Sequence, residues 1–288
     1  MTIDDTLPAL RIHDLSKWYG SHVALNAVSL EVPVGAVCGL IGPNGAGKST
    51  LMSIVATLLR PGRGSVEVFG APITDVRAVR RLVGYVPDVL GMYSGITVEE
   101  YLRFFASAYG VAADAVAPLV DGLLELVDLD TKRDADVNTL SRGMKQRIGL
   151  ARGLVHEPKL LILDEPASGL DPRARIELRD IISHLRSMGV TILISSHILG
   201  ELEEMCTHAA VLERGVLVGY EDLAVELRRV VVVGFVGGAS ATYEVSSEAE
   251  QAALVTYLVN EGHQVLSVST GSTRLEDRFM RLTEGRVN

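Results

Sequence analysis

The sequence predicts an α/β fold with a parallel sheet at its centre, and three observations carry that expectation. Gly42-Pro43-Asn44-Gly45-Ala46-Gly47-Lys48-Ser49-Thr50 fits the pattern G-x-x-x-x-G-K-[ST]. It lies between a continuous small and apolar run, Ala36–Ile41, and a helical pattern, Leu51–Leu59. Two further apolar runs, Leu160–Leu163 and Val190–Ile194, stop at Asp164-Glu165 and at Ser195-Ser196-His197, as strands covered on both faces do where they reach a ligand-binding edge. Around this core the chain is expected to carry a β-rich N-terminal subdomain, a helical insertion and a small C-terminal α+β domain.

At 288 residues and 48% hydrophobic, the chain can bury one large core and retain enough for a second, smaller one. No run approaches the roughly 20 apolar residues of a membrane-spanning helix. Met1–Asp5 is acidic where a secretory leader is basic and then apolar, so a cytoplasmic location is expected. The formal net charge of −9 disfavours a broad polyanion-binding face, and nucleic acid is not expected as the main partner. Cys38, in a buried strand, and Cys206, on a predicted helix, have no metal-type spacing and read as reduced thiols.

In chain order, Leu10–Tyr19 and Ala24–Val32 read as a hairpin turning at Gly20-Ser21-His22, and Tyr19 is placed to stack on a nucleotide base. Ser65–Phe69 is strand-like, and Leu82–Asp88 is a strand cut off at Pro87. Residues 95–137 are mostly helical pattern, opened by the cap-like Thr97-Val98-Glu99-Glu100. Ser141 is the natural N-cap of a helix ending near His156-Glu157-Pro158, and Pro172 begins a long helix through Met188. A boundary is expected within Gly215–Tyr220, giving domains of about 1–220 and 221–288 with a helical subdomain near 89–157. In the second, strands at Val230–Val236, Ala241–Val245 and Gln264–Val268 and helices near Glu248–Asn260 and Leu275–Leu282 are expected.

The glycines of the loop let the backbone turn tightly and aim its N–H groups inward, and Ser49 and Thr50 are placed to cap the helix that follows. Lys48 is then positioned for β- and γ-phosphates and the Ser49 hydroxyl for Mg²⁺. Asp164 and Glu165 are adjacent, so one carboxylate faces a metal ion and the other a water attacking a γ-phosphate. His197 is expected to reach the γ-phosphate or that water. Lys48, Glu165 and His197 each follow the carboxyl end of an apolar run and are expected to converge.

Taken together, Gly42–Thr50, Leu140-Ser141-Arg142-Gly143-Met144-Lys145-Gln146-Arg147, Leu160–Pro166, Ser168-Gly169-Leu170-Asp171 and His197 resemble the ordered motifs of the ATP-binding cassette (ABC) ATPases, over about residues 10–220. The resemblance implies a P-loop NTPase core that binds ATP and Mg²⁺. Tyr19, Gly42, Asn44, Gly45, Ala46, Gly47, Lys48, Ser49, Thr50, Asp88, Ser141, Gly143 and Asp171 would hold the nucleotide, and Ser49, Asp164 and Asp88 the metal. Glu165, His197 and Lys48 would be catalytic. It further implies two cassettes closing head to tail, the Ser141 segment of one completing the site of the other, and an integral membrane permease as partner on the cytoplasmic face of the cell membrane. The S-R-G-M-K-Q-R form of the signature is similar to the branch that exports drugs, antibiotics or polysaccharides. Asp88 stands where many members have glutamine. The alternative left open is a soluble ABC ATPase acting on nucleic acid or the ribosome.

Overall fold

Apolar runs too continuous to leave one face wet belong in the middle of a covered sheet, and that is where they lie in the computed structural model. It describes residues 7–198, 200, 202, 205–223, 229–245 and 247–272. The chain divides into two units, residues 1–221 and 222–288.

The first unit runs β1 (Leu10–Tyr19), β2 (His22–Val32), β3 (Val37–Ile41), α1 (Lys48–Val55), β4 (Arg63–Val68), β5 (Ala71–Pro72), α2 (Val76–Leu82), β6 (Val83–Val86), α3 (Val98–Ala108), α4 (Ala113–Leu126), α5 (Arg142–Leu154), β7 (Leu160–Leu163), α6 (Pro172–Ser187), β8 (Thr191–Ser196), β9 (His208–Glu213) and β10 (Val216–Asp222). Its smaller sheet has the order β2-β1-β4-β5, and its larger sheet β10-β9-β3-β8-β7-β6. From β9 through β6 the larger sheet is parallel. Every residue of β3, β7 and β8 is buried, as the apolar runs at their centres demand, and β8 takes Thr191, Ser195 and Ser196 into the interior with it.

One core joins the two sheets through Leu10, Leu25, Leu40, Leu51, Met52, Ile162 and Leu193. Each such side chain stabilises the fold by about 1.5–3 kcal/mol relative to an exposed position. The hairpin β1–β2 is antiparallel and turns at Gly20-Ser21, with Tyr19 opposite His22. Thr97 opens α3 with the anticipated reciprocal cap, its hydroxyl accepting from the Glu100 N–H at 3.2 Å while its own N–H donates to the Glu100 carboxylate at 2.8 Å.

Two local readings change. Ser49 and Thr50 do not cap α1: the helix starts at Lys48, its N-cap is Gly47 with φ 106°, and no side chain caps it. The first N–H groups are therefore not consumed by a neighbouring hydroxyl. Cys206 lies outside helical structure, two residues before β9, because the helical pattern has already yielded to the turn at Met205. Gly215–Tyr220, where the boundary is expected, forms the β9–β10 turn and most of β10, with Gly215 bonded to Ala46 and Asn26, and the two units divide one residue past the expected 220, after Glu221. Helix α2 and strands β9 and β10 had no counterpart in the sequence reading. Both cysteines are free thiols, and burial pushes the Cys38 thiol up to about 12.

The second unit holds β11 (Arg229–Phe235), β12 (Ser240–Val245), α7 (Glu248–Asn260) and β13 (Val265–Ser272). Its antiparallel sheet has the order β12-β11-β13, and Val231, Val233, Val245 and Leu258 form its core. The helix expected at Leu275–Leu282 lies outside the described residues. Among the described residues no helix is long and apolar enough to cross a membrane.

Candidate functional site

The carboxyl ends of β3, β8 and β7 lie side by side, since β3 pairs with β8 and β8 with β7. The loop after β3 carries Lys48, the end of β7 is followed by Asp164 and Glu165, and β8 is followed by His197. The three expected partners meet. Lys48 Nζ stands 3.1 Å from Glu165 Oε1, and His197 Nδ1 is 2.7 Å from Glu165 Oε2. Because a carboxylate oxygen only accepts, Nδ1 carries the proton in that contact, leaving Nε2 as the ring nitrogen for any further partner. His197 thus reaches Glu165 itself, a contact its place after a strand did not specify.

Lys48 is 5% exposed. Its ammonium donates to the Gly42 carbonyl at 2.7 Å as well as facing Glu165, so the charge is held by the loop that it closes. The backbone at Gly47 could not carry a side chain: its φ of 106° is left-handed, and a Cβ there would lie 2.5 Å from the Ala24 carbonyl oxygen. Loop and helix start together present N–H groups and the positive end of the α1 dipole.

A cleft of about 300 Å³ opens beside this pair, lined by Tyr19, His22, Ala24, Asn44, Gly45, Gly47, Lys48, Ser49, Thr50, Asp88 and Glu165. Nine of these eleven were among the sequence-derived site residues; His22 and Ala24 were not. They arrive because β2 lies next to β1, with His22 opposite Tyr19. Tyr19 is 47% exposed, an aromatic face available to a flat ligand. Gly42 and Ala46 do not line the cleft. Gly42 contributes its carbonyl to Lys48, and Ala46 is buried, with its N–H donating to the Pro43 carbonyl at 3.1 Å.

Asp164 is 4% exposed and does not stand free at the strand end: its Oδ1 accepts from the Ser195 hydroxyl at 2.7 Å. Glu165 sits at φ 50°, a left-handed conformation costing a residue with a Cβ about 1–2 kcal/mol. Burial, and secondarily the nearby Asp164 charge, raise the Tyr85 phenol above its ordinary range, so it remains a neutral hydroxyl. Among the described residues no three His, Cys, Asp or Glu side chains form a metal cluster. Of the three expected donors, Ser49 and Asp88 line the cleft and the buried Asp164 does not; a hydroxyl with one or two carboxylates suits a hard cation that completes its shell from phosphate oxygens and water.

Ser141, Gly143 and Asp171 lie elsewhere. They line a second cleft of about 330 Å³ at the starts of α5 and α6, together with Asp128, Lys132, Arg147 and Arg173. Ser141 is the N-cap of α5, its oxygen accepting from the Met144 N–H at 3.3 Å, and Asp171 is the N-cap of α6, accepting from the Ala174 N–H at 3.0 Å. The two helix starts are pressed together at Gly143, where a Cβ would come within 3.1 Å of the Ala174 methyl. A cap uses one lone pair of the Ser141 oxygen and leaves its proton to donate.

The chain is similar to known proteins over most of the first unit. Residues 25–168 match the family model described as ABC transporter. Nod factor export ATP-binding protein I of Burkholderia orbicola (strain AU 1054) is 41% identical over 203 residues, 70% of this chain and 67% of that protein. Its namesake in Rhizobium meliloti (strain 1021) is 39% identical over 208 residues, 72% of this chain and 62% of that one. The chain thus spans about two thirds of the length of these relatives. Among solved structures, an ATP binding subunit of an ABC transporter superimposes with a TM-score of 0.69 at 33% identity, over 75% of this chain and 91% of the other. The structure of cbiO1 from Clostridium perfringens, part of the ABC transporter complex cbiONQ, gives 0.69 at 28% identity, over 76% and 90%.

Proposed function

This chain belongs to the ABC transporter family as an ATP-binding, ATP-hydrolysing component, and from that premise we propose that it powers a membrane exporter by closing on ATP as a head-to-tail pair. The observation that carries the reading is the separation of the site into two clefts on one chain, Lys48 and Glu165 in one and Ser141 and Gly143 in the other. A γ-phosphate held by Lys48 of one copy meets the hydroxyl and N–H groups at the start of α5 of a second copy. A two-fold arrangement then makes two such sites at once.

Within each site Tyr19 stacks on the base, and Asn44, Gly45 and the loop N–H groups hold the phosphates. Lys48 exchanges part of its internal bonding for phosphate oxygens. Mg²⁺, when bound, offsets phosphate charge, with Ser49, Asp164 and Asp88 as the residues that would hold it. Glu165 takes the proton of the attacking water, and His197, donating from Nδ1 to Glu165, keeps that carboxylate oriented. Asp88, on the cleft wall after β6, is the residue by which nucleotide occupancy is passed to a permease subunit. The names of the similar export proteins support the direction of transport. Residues 1–220 act as the ATP-binding domain and residues 221–288 as an accessory domain supporting or regulating the pair, the whole sitting peripherally on the cytoplasmic face of the membrane.

Mixing two inactive variants tests the shared site. Lys48→Ala and Ser141→Arg homodimers are each expected to be inactive. An equimolar mixture forms hybrids with one intact site, so about a quarter of wild-type ATPase activity returns if copies pair at random and each site works alone. A mixture as inactive as its parents, while both variants still pair, would overturn the shared site.

A further inference from the structure

We propose that Ser195 is a positioning residue for hydrolysis: its hydroxyl locks the carboxylate of Asp164 to the peptide of Glu165 and so fixes the geometry of both acids. This rests on the reading of Glu165 as the hydrolytic carboxylate.

A hydroxyl has one proton to give and lone pairs to receive with, and Ser195 uses both functions on the two adjacent acids. It donates to Asp164 Oδ1 at 2.7 Å and accepts from the Glu165 N–H at 2.9 Å. Ser195 is wholly buried, so water cannot replace either bond. The register gives the contact its place: Leu163 of β7 pairs with Ile194 of β8, so the residues just beyond each strand's apolar stretch, Asp164 and Ser195, face each other across the sheet.

The peptide being held is the one whose conformation needs holding. Glu165, at φ 50°, is bent out of the strand direction that Leu160–Leu163 establish. That bend sends its carboxylate to Lys48 and His197 and leaves Asp164 pointing into the sheet edge toward Ser195. Without that hydroxyl the Glu165 N–H would lose its acceptor and the Asp164 carboxylate its donor, and the two acids would no longer be tied in their present orientations. The hydroxyl therefore keeps two neighbouring carboxylates in different roles.

The test uses the full-length protein, with kcat and KM for ATP, affinity for a fluorescent ATP analogue and thermal unfolding measured for each variant. Ser195→Ala is expected to lose roughly 10- to 100-fold in kcat, the effect of one or two hydrogen bonds to charged or strained groups. KM and analogue affinity are expected to stay within about twofold, since Ser195 does not line the cleft. Ser195→Thr keeps the hydroxyl and is expected to recover to within about threefold of wild type. Ser195→Cys fills nearly the same space with a weaker donor, falls between the two, and covers the case in which the alanine variant does not fold. A folded Ser195→Ala with wild-type kcat overturns the inference. So does an equal loss in the Ala, Cys and Thr variants, which would assign the effect to packing, or a loss confined to KM. Glu165→Gln, assayed alongside, separates the two ideas: if it is inactive while Ser195→Ala is not, only the positioning role falls. If Glu165→Gln keeps full activity, both fall.

Discussion

The two clefts of the first unit are built in opposite ways. At the strand ends, charges are buried and already engaged: Lys48 and Asp164 are 5% and 4% exposed, and Glu165 contacts both Lys48 and His197. At the helix starts, Ser141 and Arg142 are exposed, α5 has no acid in its first turn, Arg147 and Arg173 are matched by Asp128 and Glu177, and the helix ends themselves offer a hydroxyl proton, backbone N–H groups and a dipole. A cleft whose cation and carboxylate meet at a phosphate loop can hold a ligand alone and do chemistry on it. A pair of helix ends adds little until a phosphate is brought to it already bound. That contrast separates binding from turnover, and variants in each cleft are ways to break it.

The largest effect is expected from Lys48→Ala. Removing the ammonium leaves the partly buried Glu165 without its cation and takes away the charge that faces phosphate, so binding and turnover fall together. Loss of charge-assisted bonds alone predicts roughly a 10- to 100-fold weaker affinity for ATP. Calorimetry with ATP, beside a turnover assay, measures both, and retained affinity would mean that the loop is not the phosphate cradle.

Glu165→Gln comes next and divides the strand-end cleft internally. The amide keeps the shape but cannot accept a proton, so turnover is expected to fall about 10²- to 10⁴-fold while ATP still binds. If ATP closes the pair, the variant accumulates as an ATP-dependent dimer, resolved by size-exclusion chromatography with light scattering and much weaker with ADP. A variant that stays monomeric in ATP would break the link between nucleotide and closure.

Ser141→Arg probes the other cleft and is expected to act on turnover alone. Affinity of the single chain for ATP stays within about twofold, because Ser141 does not line the cleft beside Lys48. Hydrolysis is lost because a bulky cation blocks the start of α5. Weakened binding by the isolated chain would erase the difference between the clefts.

How much of this was legible in the sequence follows the distance over which each feature is encoded. The Lys48 loop, the Thr97 box and the Ser141 cap are local, each set by residues three to eight positions apart, and each was readable. The convergence of Lys48, Glu165 and His197 was readable because three apolar runs all end in reactive residues and a parallel sheet aligns such ends. The Ser195–Asp164 bond was not, since it depends on β7 and β8 being neighbours in a given register. Helix α2 was missed because only Val79 of its seven residues is buried, too little to leave a periodic signal. Ser49 and Thr50 were misread as caps because the pattern of a capped helix does not reveal that a glycine already occupies the N-cap.

The smallest expected effect concerns the far end of the helix that carries Ser141. Just past the C-terminus of α5, His156 Nε2 contacts the Val83 carbonyl at 3.0 Å, and its ring stacks on Tyr109 with centroids 4.0 Å apart. A carbonyl only accepts, so Nε2 carries the proton, and the buried Nδ1 has no hydrogen-bond partner. Burial lowers the His156 pKa below its ordinary 6.5, and the bond to Val83 offsets only part of that. The folded state therefore resists protonation while the unfolded chain takes up a proton near pH 6.5, so the unfolded state binds more protons in the interval below that value. Stability is complete above pH 6.5 and declines as the pH falls toward the lower folded value. Carboxylates such as Glu99, held low by its hydrogen bond from Arg103, begin to lose their contribution only near pH 4.5, which leaves the interval between about 5 and 6.5 to histidine. His156→Gln can still donate to Val83 but does not titrate. Thermal unfolding followed from pH 7.5 to 5 should show a shallower decline for the variant, beneath a constant offset from the lost stack. Equal slopes would remove His156 as the acid-sensitive tie between α5 and β6, leaving α5 anchored by apolar packing and by Arg147 and Arg152, which donate to the Val127 carbonyl at 2.8 Å and the Tyr101 hydroxyl at 3.0 Å.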